Sequence, residues 1–284
     1  MVQRLRRSAA SVVMIGPTLI WLLVFLLAPL VIVVGISFLS KTPYGGVSLP
    51  FSLEAYSSMV KADYAKILGR SIWLSAKTTV LCLLFGYPLA AVIARSSKKV
   101  KPWLVLLIML PFWINSMIRL YGWMTLLRTE GIINNILVGL GIIDSPLSML
   151  YTDGAVLLGM VYELLPFAVL PLYTSIEKID PSLIEAAGDL GAKKHRIFLR
   201  VILPLTMPGV FAGSIQTFIP ALGLFYVSDM LGGGSSMYIG NLIKNQFLSA
   251  RNWPLGAALA LILIIITIIL MRLYTKVGKL DDMV

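Results

Sequence analysis

Charge is scarce in this chain. Only 13% of its 284 residues are Asp, Glu, Lys or Arg, where a soluble domain carries about 25%. Hydrophobic residues make up 58%, and the mean hydropathy is +0.89. That balance excludes a soluble enzyme, a disordered tail and a coiled coil, and it makes lipid the main solvent. Cysteine is reduced to Cys82, which excludes an internal disulfide framework and a cysteine zinc site. With His195 as the single histidine, no histidine-rich metal or catalytic site is expected. There is no Gly-x-x-x-x-Gly-Lys-Ser/Thr phosphate loop, so the chain is not expected to hydrolyse ATP itself. The lack of an internal repeat gives no support to an inverted-repeat secondary transporter.

What the sequence does have is long apolar runs. A membrane-spanning helix needs about 20 mostly apolar residues. Six stretches qualify: Val12–Leu39, Ile72–Ala94, Trp103–Leu127, Ala155–Ile176, Pro208–Leu231 and Leu255–Tyr274. The expected fold is therefore all-α, with residues 1–284 forming one transmembrane domain. Arg4, Arg6 and Arg7 before the first run resemble the start of a signal peptide. The run is too long for that, and it reads as a retained span. Pro111, Pro166, Pro171 and Pro220 punctuate spans three to five, as packing kinks or as openings beside a lined cavity.

The net charge of +11 is explained by where the basic residues lie. Arg4, Arg6 and Arg7 precede span one, and Arg95, Lys98, Lys99 and Lys101 fill the loop between spans two and three. Lys178, Lys193, Lys194, Arg196 and Arg200 lie between spans four and five, and Arg272, Lys276 and Lys279 come at the end of span six. The opposite side holds only Lys41, Lys61, Lys66, Arg70, Arg128, Lys244 and Arg251. The richer side is expected to face the cytoplasm, with both termini inside a bacterial inner membrane. No motif supports nucleic-acid binding.

The outer loops carry turn and cap signals. Pro43, Gly45 and Gly46 make a turn, and Ser52 is placed to cap a short helix starting at Glu54 and Ala55. These loops are either a docking face for an outside partner or solvated connectors.

The inner loop from Glu177 to Pro204 is the most informative. Asp180 suits an N-cap, Pro181 the first helical position, and Gly191 the C′ position. Leu183, Ala186, Ala187 and Leu190 form one apolar face. A basic helix from Ala192 to about Leu203 follows. One reading is a helix pair lying on anionic lipid. Against it, Glu185-Ala186-Ala187, then Gly191, then Leu203-Pro204 resembles the EAA signature of ABC importer permeases. Val201 stands where that signature has Ile. The resemblance implies the type I importer permease fold, with a coupling helix that docks on a cytosolic ATPase.

Further stretches resemble the PotB-type permease family of spermidine/putrescine importers: Leu110–Tyr121, Pro171–Lys178, Leu222–Asp229, Gly240–Phe247 and Trp253–Ala257. That resemblance implies a second, PotC-like permease, two copies of an ATPase that uses ATP and Mg, and an external polyamine-binding protein. No cofactor is expected on this chain.

Charges inside spans are costly and mark functional candidates. Glu163 lies in span four, Arg119 in span three, Lys77 in span two and Asp229 near the outer end of span five. A polyamine path needs carboxylates for ammonium groups and aromatic faces for cation–π and apolar contact. Asp229 with Phe225 and Tyr226 supplies that set, unless it is an interfacial belt with a solvated acid. Glu163 is a second path candidate, or else a partner for Arg119 or Lys77. Arg119 would repel a polycation and is assigned to structural pairing. Two other function classes stay open: an importer permease for another solute, such as an iron chelate or organic phosphonate, and a self-contained ion-coupled carrier.

Overall fold

The computed structural model describes residues 15–59 and 61–281; the basic residues before Ile15 and the side chains of Lys276 and Lys279 fall outside the description. The architecture is helical, with one small hairpin. Span one, α1, covers Ile15–Ser37. Strands β1 (Leu39–Lys41) and β2 (Val47–Phe51) follow, then α2 (Glu54–Met59) and α3 (Ala62–Arg95). Next come α4 (Lys101–Met109), α5 (Ser116–Leu127), α6 (Ile132–Gly139) and α7 (Asp153–Glu177). After these lie α8 (Pro181–Asp189), α9 (Lys194–Leu205), α10 (Met207–Gly223), α11 (Phe225–Leu231), α12 (Ile239–Leu248) and α13 (Trp253–Asp281).

The described chain forms two compact units. One comprises the residues up to Ala65 with Leu242–Ile266. Its hairpin pairs antiparallel, with Ser40 opposite Ser48 and Lys41 opposite Val47. These strands are absent from the sequence reading, because two short half-exposed segments carry too little periodicity to register. The turn and cap appear where expected. Gly45 and Gly46 adopt φ of 90° and 95°, and Ser52 Oγ accepts a hydrogen bond from Glu54 N at 3.1 Å. In α1 no residue of the most apolar stretch is buried, and Leu23, Phe25 and Leu26 are all exposed. Such a surface requires lipid or another subunit as its cover.

The second unit, Lys66–Asn241 with the residues from Thr267, is organised around α7. Val156 and Met160 pack with Leu120 of α5 and with Val227 and Leu231 of α11. Further along α7, Leu164, Ala168, Val169 and Leu172 pack with Cys82, Ala90 and Ile93 of α3. Helix α7 is apolar around most of its circumference, as a central helix must be.

Spans three and five are not single helices. Between α4 and α5 the chain makes a tight turn over Leu110–Trp113 and then goes extended at Ile114, whose ψ is 134°. Residues 101–113 and 116–139 meet at 90°. Pro111 sits in that turn, and Asn115 restarts the helix by accepting a hydrogen bond from Met117 N at 2.9 Å. The second break is at Leu224, φ −72° and ψ 79°, four residues after Pro220. By contrast Pro166 and Pro171 lie inside the continuous α7, and α3 begins about ten residues before the expected Ile72.

Helices α7 and α10 approach closely through Gly209-x-x-x-Gly213. A Cβ on Gly209 would lie 2.8 Å from Pro171 O, and one on Gly213 would lie 3.2 Å from Ala168 O. Small residues four apart allow this backbone approach in membranes. Gly209→Val is therefore expected to destabilise the purified protein by about 1–3 kcal/mol, as overpacking does. Gly69→Ala, which meets nothing within 4 Å, should leave the melting temperature near wild type. Equal melting temperatures for wild type and Gly209→Val would refute the close crossing.

Candidate functional site

The inner loop folds as its capping signals dictate. Asp180 Oδ1 accepts a hydrogen bond from Ser182 N at 2.9 Å. That backbone N–H holds the Asp180 carboxyl below its usual range, so the ionised, capping form prevails at neutral pH. Pro181 occupies the first helical position, and Gly191 terminates α8 at φ +78°. The carbonyls of the last turn are met by Leu190 N and Ala192 N, bonding to Ala186 O and Ala187 O. Of the apolar face, Leu183 is 48% exposed and Leu190 89%. Glu185 and Ala186 are also exposed, while Ala187 is half-buried. Leu203 and Pro204 lie in the last turn of α9, just before a 66° bend into α10. Glu185, Ala186 and Ala187 thus lie on a helix capped at both ends, with Leu183 and Leu190 exposed beside them.

At the other site the break at Leu224 starts α11 with Phe225 and Tyr226, and Asp229 lies one turn on. Phe225 and Asp229 share a face at i, i+4, as expected, although the helix carrying them is only seven residues long. Phe225 is 39% exposed, and its ring lies 6.2 Å from that of Tyr226, nearly perpendicular to it.

Asn241, which the sequence reading did not single out, holds this arrangement. Its amide Nδ2 donates to Asp229 Oδ1 and to Phe225 O, the latter at 3.2 Å. Its Oδ1 accepts from Ser228 Oγ at 2.7 Å and from Tyr238 N at 3.3 Å. Gly240 permits the approach, because a Cβ there would meet Gly223 O at 2.8 Å. The available signal was Asn241 at the start of an amphipathic segment. Its role depends on a fold-back that local pattern does not encode.

Behind Tyr226 lies a buried ion pair. Arg119 Nη2 donates to Glu163 Oε2 at 2.8 Å and to Ser116 Oγ at 3.0 Å. The two side chains are 7% and 5% exposed. The guanidinium lies 5.4 Å from the Tyr162 ring centroid. Tyr226 lies within electrostatic reach of Ser116, Glu163 and Arg119. Glu163 is thus joined to Arg119, while Lys77 sits over the Trp73 ring at 5.0 Å. Arg119 Nε and Glu163 Oε1 have no hydrogen-bond partner among the described residues. Three of the four path candidates, Phe225, Tyr226 and Asp229, sit on α11. Glu163 reaches the same neighbourhood from α7. Among the described residues there is no group of His, Cys, Asp and Glu suited to a metal ion.

Broken apolar spans, an exposed capped helix and acids with aromatics at a break suit a membrane transport subunit. Residues 83–279 match the family described as binding-protein-dependent transport system inner membrane component. The chain is 44% identical over 260 residues to the spermidine/putrescine transport system permease protein PotB of Escherichia coli K12, covering 92% of this chain and 94% of that protein. It is 32% identical over 232 residues to the inner membrane ABC transporter permease protein YdcU of the same strain, covering 78% and 74%. In structure it resembles a chain of a bacterial ABC transporter involved in import of the acidic polysaccharide alginate. The TM-score is 0.76 at 19% identity, over 98% of this chain and 97% of that one. The chain belongs to the binding-protein-dependent transport system inner membrane component family. It is a multi-pass ABC importer permease subunit of type I fold, and its work is transport rather than catalysis.

The buried pair yields a stability prediction. Glu163→Gln leaves the Arg119 charge buried without a counter-ion and should cost about 3–5 kcal/mol. The double replacement Arg119→Met with Glu163→Met removes both charges and should recover most of that loss. Thermal unfolding of the three purified proteins in detergent checks this. A double variant no more stable than the single one would contradict it.

Proposed function

We propose that this chain, with a second PotC-like permease, forms the transmembrane path for polyamines of the spermidine/putrescine class. Two copies of a cytosolic ATPase supply the energy from ATP and Mg, and an external polyamine-binding protein delivers the substrate. The observation that carries this reading is the grouping of Asp229, Phe225 and Tyr226 on α11 directly after the Leu224 break. A carboxylate can pair with an ammonium, and the two rings can cover methylenes or stack on charge. Glu163 Oε1, buried and without a protein partner among the described residues, adds a second acceptor nearby. The substrate named in the PotB relatives agrees with this chemistry.

Glu185, Ala186, Ala187 and Gly191, with Leu203 and Pro204 closing the loop, are proposed to couple the path to the ATPase. The exposed face of α8 is the contact, and the bend from α9 into α10 carries its movement to the bundle. The excess of Lys and Arg on this side supports a cytoplasmic placement, with both termini inside.

Asp229→Asn keeps size and an acceptor for Asn241 but removes the charge. A charge-assisted contact contributes about 1.5–3 kcal/mol, so spermidine uptake should fall roughly tenfold or more. The measurement is radiolabelled uptake in a host lacking other polyamine transport, in a background that does not need the binding protein. Unimpaired uptake there removes Asp229 from the path.

Gly191→Val forces a β-branched residue into φ +78°. ATPase co-purification and coupled transport should fall severalfold while membrane insertion persists. Normal capture of the ATPase by this variant would refute the dock.

A further inference from the structure

We propose that the cavity beside α8 is a binding site for an anionic phospholipid from the leaflet on the coupling-loop side. The cavity has a volume of about 790 Å³, within the range of pockets that take small amphipathic ligands. It lies where spans end: Arg95 closes α3, Lys101 opens α4 and Ile176 lies at the end of α7. Such span ends lie at the boundary between hydrocarbon and water.

The floor and the rim differ in chemistry. Ile176, Ile197 and Ile202 are buried at the floor, with the Phe198 ring beside them. On the rim Lys101 Nζ lies 2.6 Å from Glu177 Oε1, so that pair is mutually neutralised. Arg95 and Lys194 then face Glu185 alone, and none of these three forms an ion pair among the described residues. The rim is therefore net positive. Lys98 and Lys99, three and four residues after Arg95, and Arg196 and Arg200 on the turns after Lys194 add to the same field.

A polyamine is the wrong sign for this rim. A free phosphate matches Arg95 and Lys194 but leaves the isoleucine floor wet. A phospholipid satisfies both, with its phosphate on the two cations and its acyl chains over Ile176 and Phe198. Basic pockets between helix ends are a recurrent setting for anionic headgroups. The inference is independent of which solute the permease carries, because none of the α11 residues contributes to the cavity.

The test is native mass spectrometry of the protein purified with its co-purifying subunits from nanodiscs of phosphatidylglycerol and phosphatidylcholine. Wild type should retain phosphatidylglycerol selectively. Each cation near a membrane surface contributes about fivefold, so Arg95→Gln with Lys194→Gln should weaken retention about 25-fold. Ile179→Trp keeps every charge and narrows the apolar lining, and it should also weaken lipid retention. Circular dichroism of both variants establishes that they are folded. Three results overturn the proposal: equal retention by folded variants, equal retention of phosphatidylcholine, or displacement of the lipid by inorganic phosphate alone.

Discussion

In hydrocarbon every backbone N–H and C=O must find a partner within the protein, and that constraint shapes this permease more than any other. It permits helices throughout and penalises each interruption. The two interruptions inside spans, at Ile114 and Leu224, are accordingly furnished with substitute partners. Asn115 caps the helix that restarts after the first. At the second, Leu224 N still reaches Pro220 O at 3.0 Å, and Asn241 takes up Phe225 O. The breaks are ordered features of the structure, each with a side-chain amide assigned to it.

The same scarcity of water explains why the polar residues gather. Arg119 and Glu163 each carry a charge that lipid would expel, and pairing across α5 and α7 makes both tolerable. Placing that pair behind Tyr226 gives α11 a fixed polar backing, while Leu120, Val156 and Val227 lock the three helices together. The α11 acid and rings are thus held on a rigid element next to a break, the setting in which membrane proteins line cavities.

The coupling contact proposed for α8 depends on the opposite property. Helix α8 is specified locally, by Asp180, Pro181 and Gly191, and owes little to the bundle. Leu190, the residue that caps its C-terminal end, is 89% exposed among the described residues. A helix that keeps its shape without burying its face is ready to seat in another protein. The Lys101–Glu177 bridge and the α9–α10 bend connect its surroundings to the spans.

Local signals made several parts legible from residues alone. Apolar length gave the membrane class, with four helices long enough to cross a bilayer among the described residues and up to six if each bent pair is one span; the cap residues gave α8 with its ends, and the spaced EAA pattern gave the family. The aromatic and acidic set at Phe225, Tyr226 and Asp229 was readable because the three residues are near neighbours in the chain. Four features were not readable: the 90° bend within span three, the hairpin, the Asn241 clamp and the choice of Arg119 over Lys77 as partner for Glu163. The ion pair and the clamp rest on residues apart in sequence, Glu163 and Arg119 by 44 positions; the hairpin and the bend are local, but two short strands and a proline turn carry too little periodicity to register. Hydropathy, capping and short motifs act over one or two helical turns, so the sequence by itself determined the helical membrane class, most of the apolar segments and the capped helix α8. Which charges meet and what holds the break at Leu224 are set by long-range packing under the demand for backbone and charge satisfaction in lipid, and only the tertiary structure decided them.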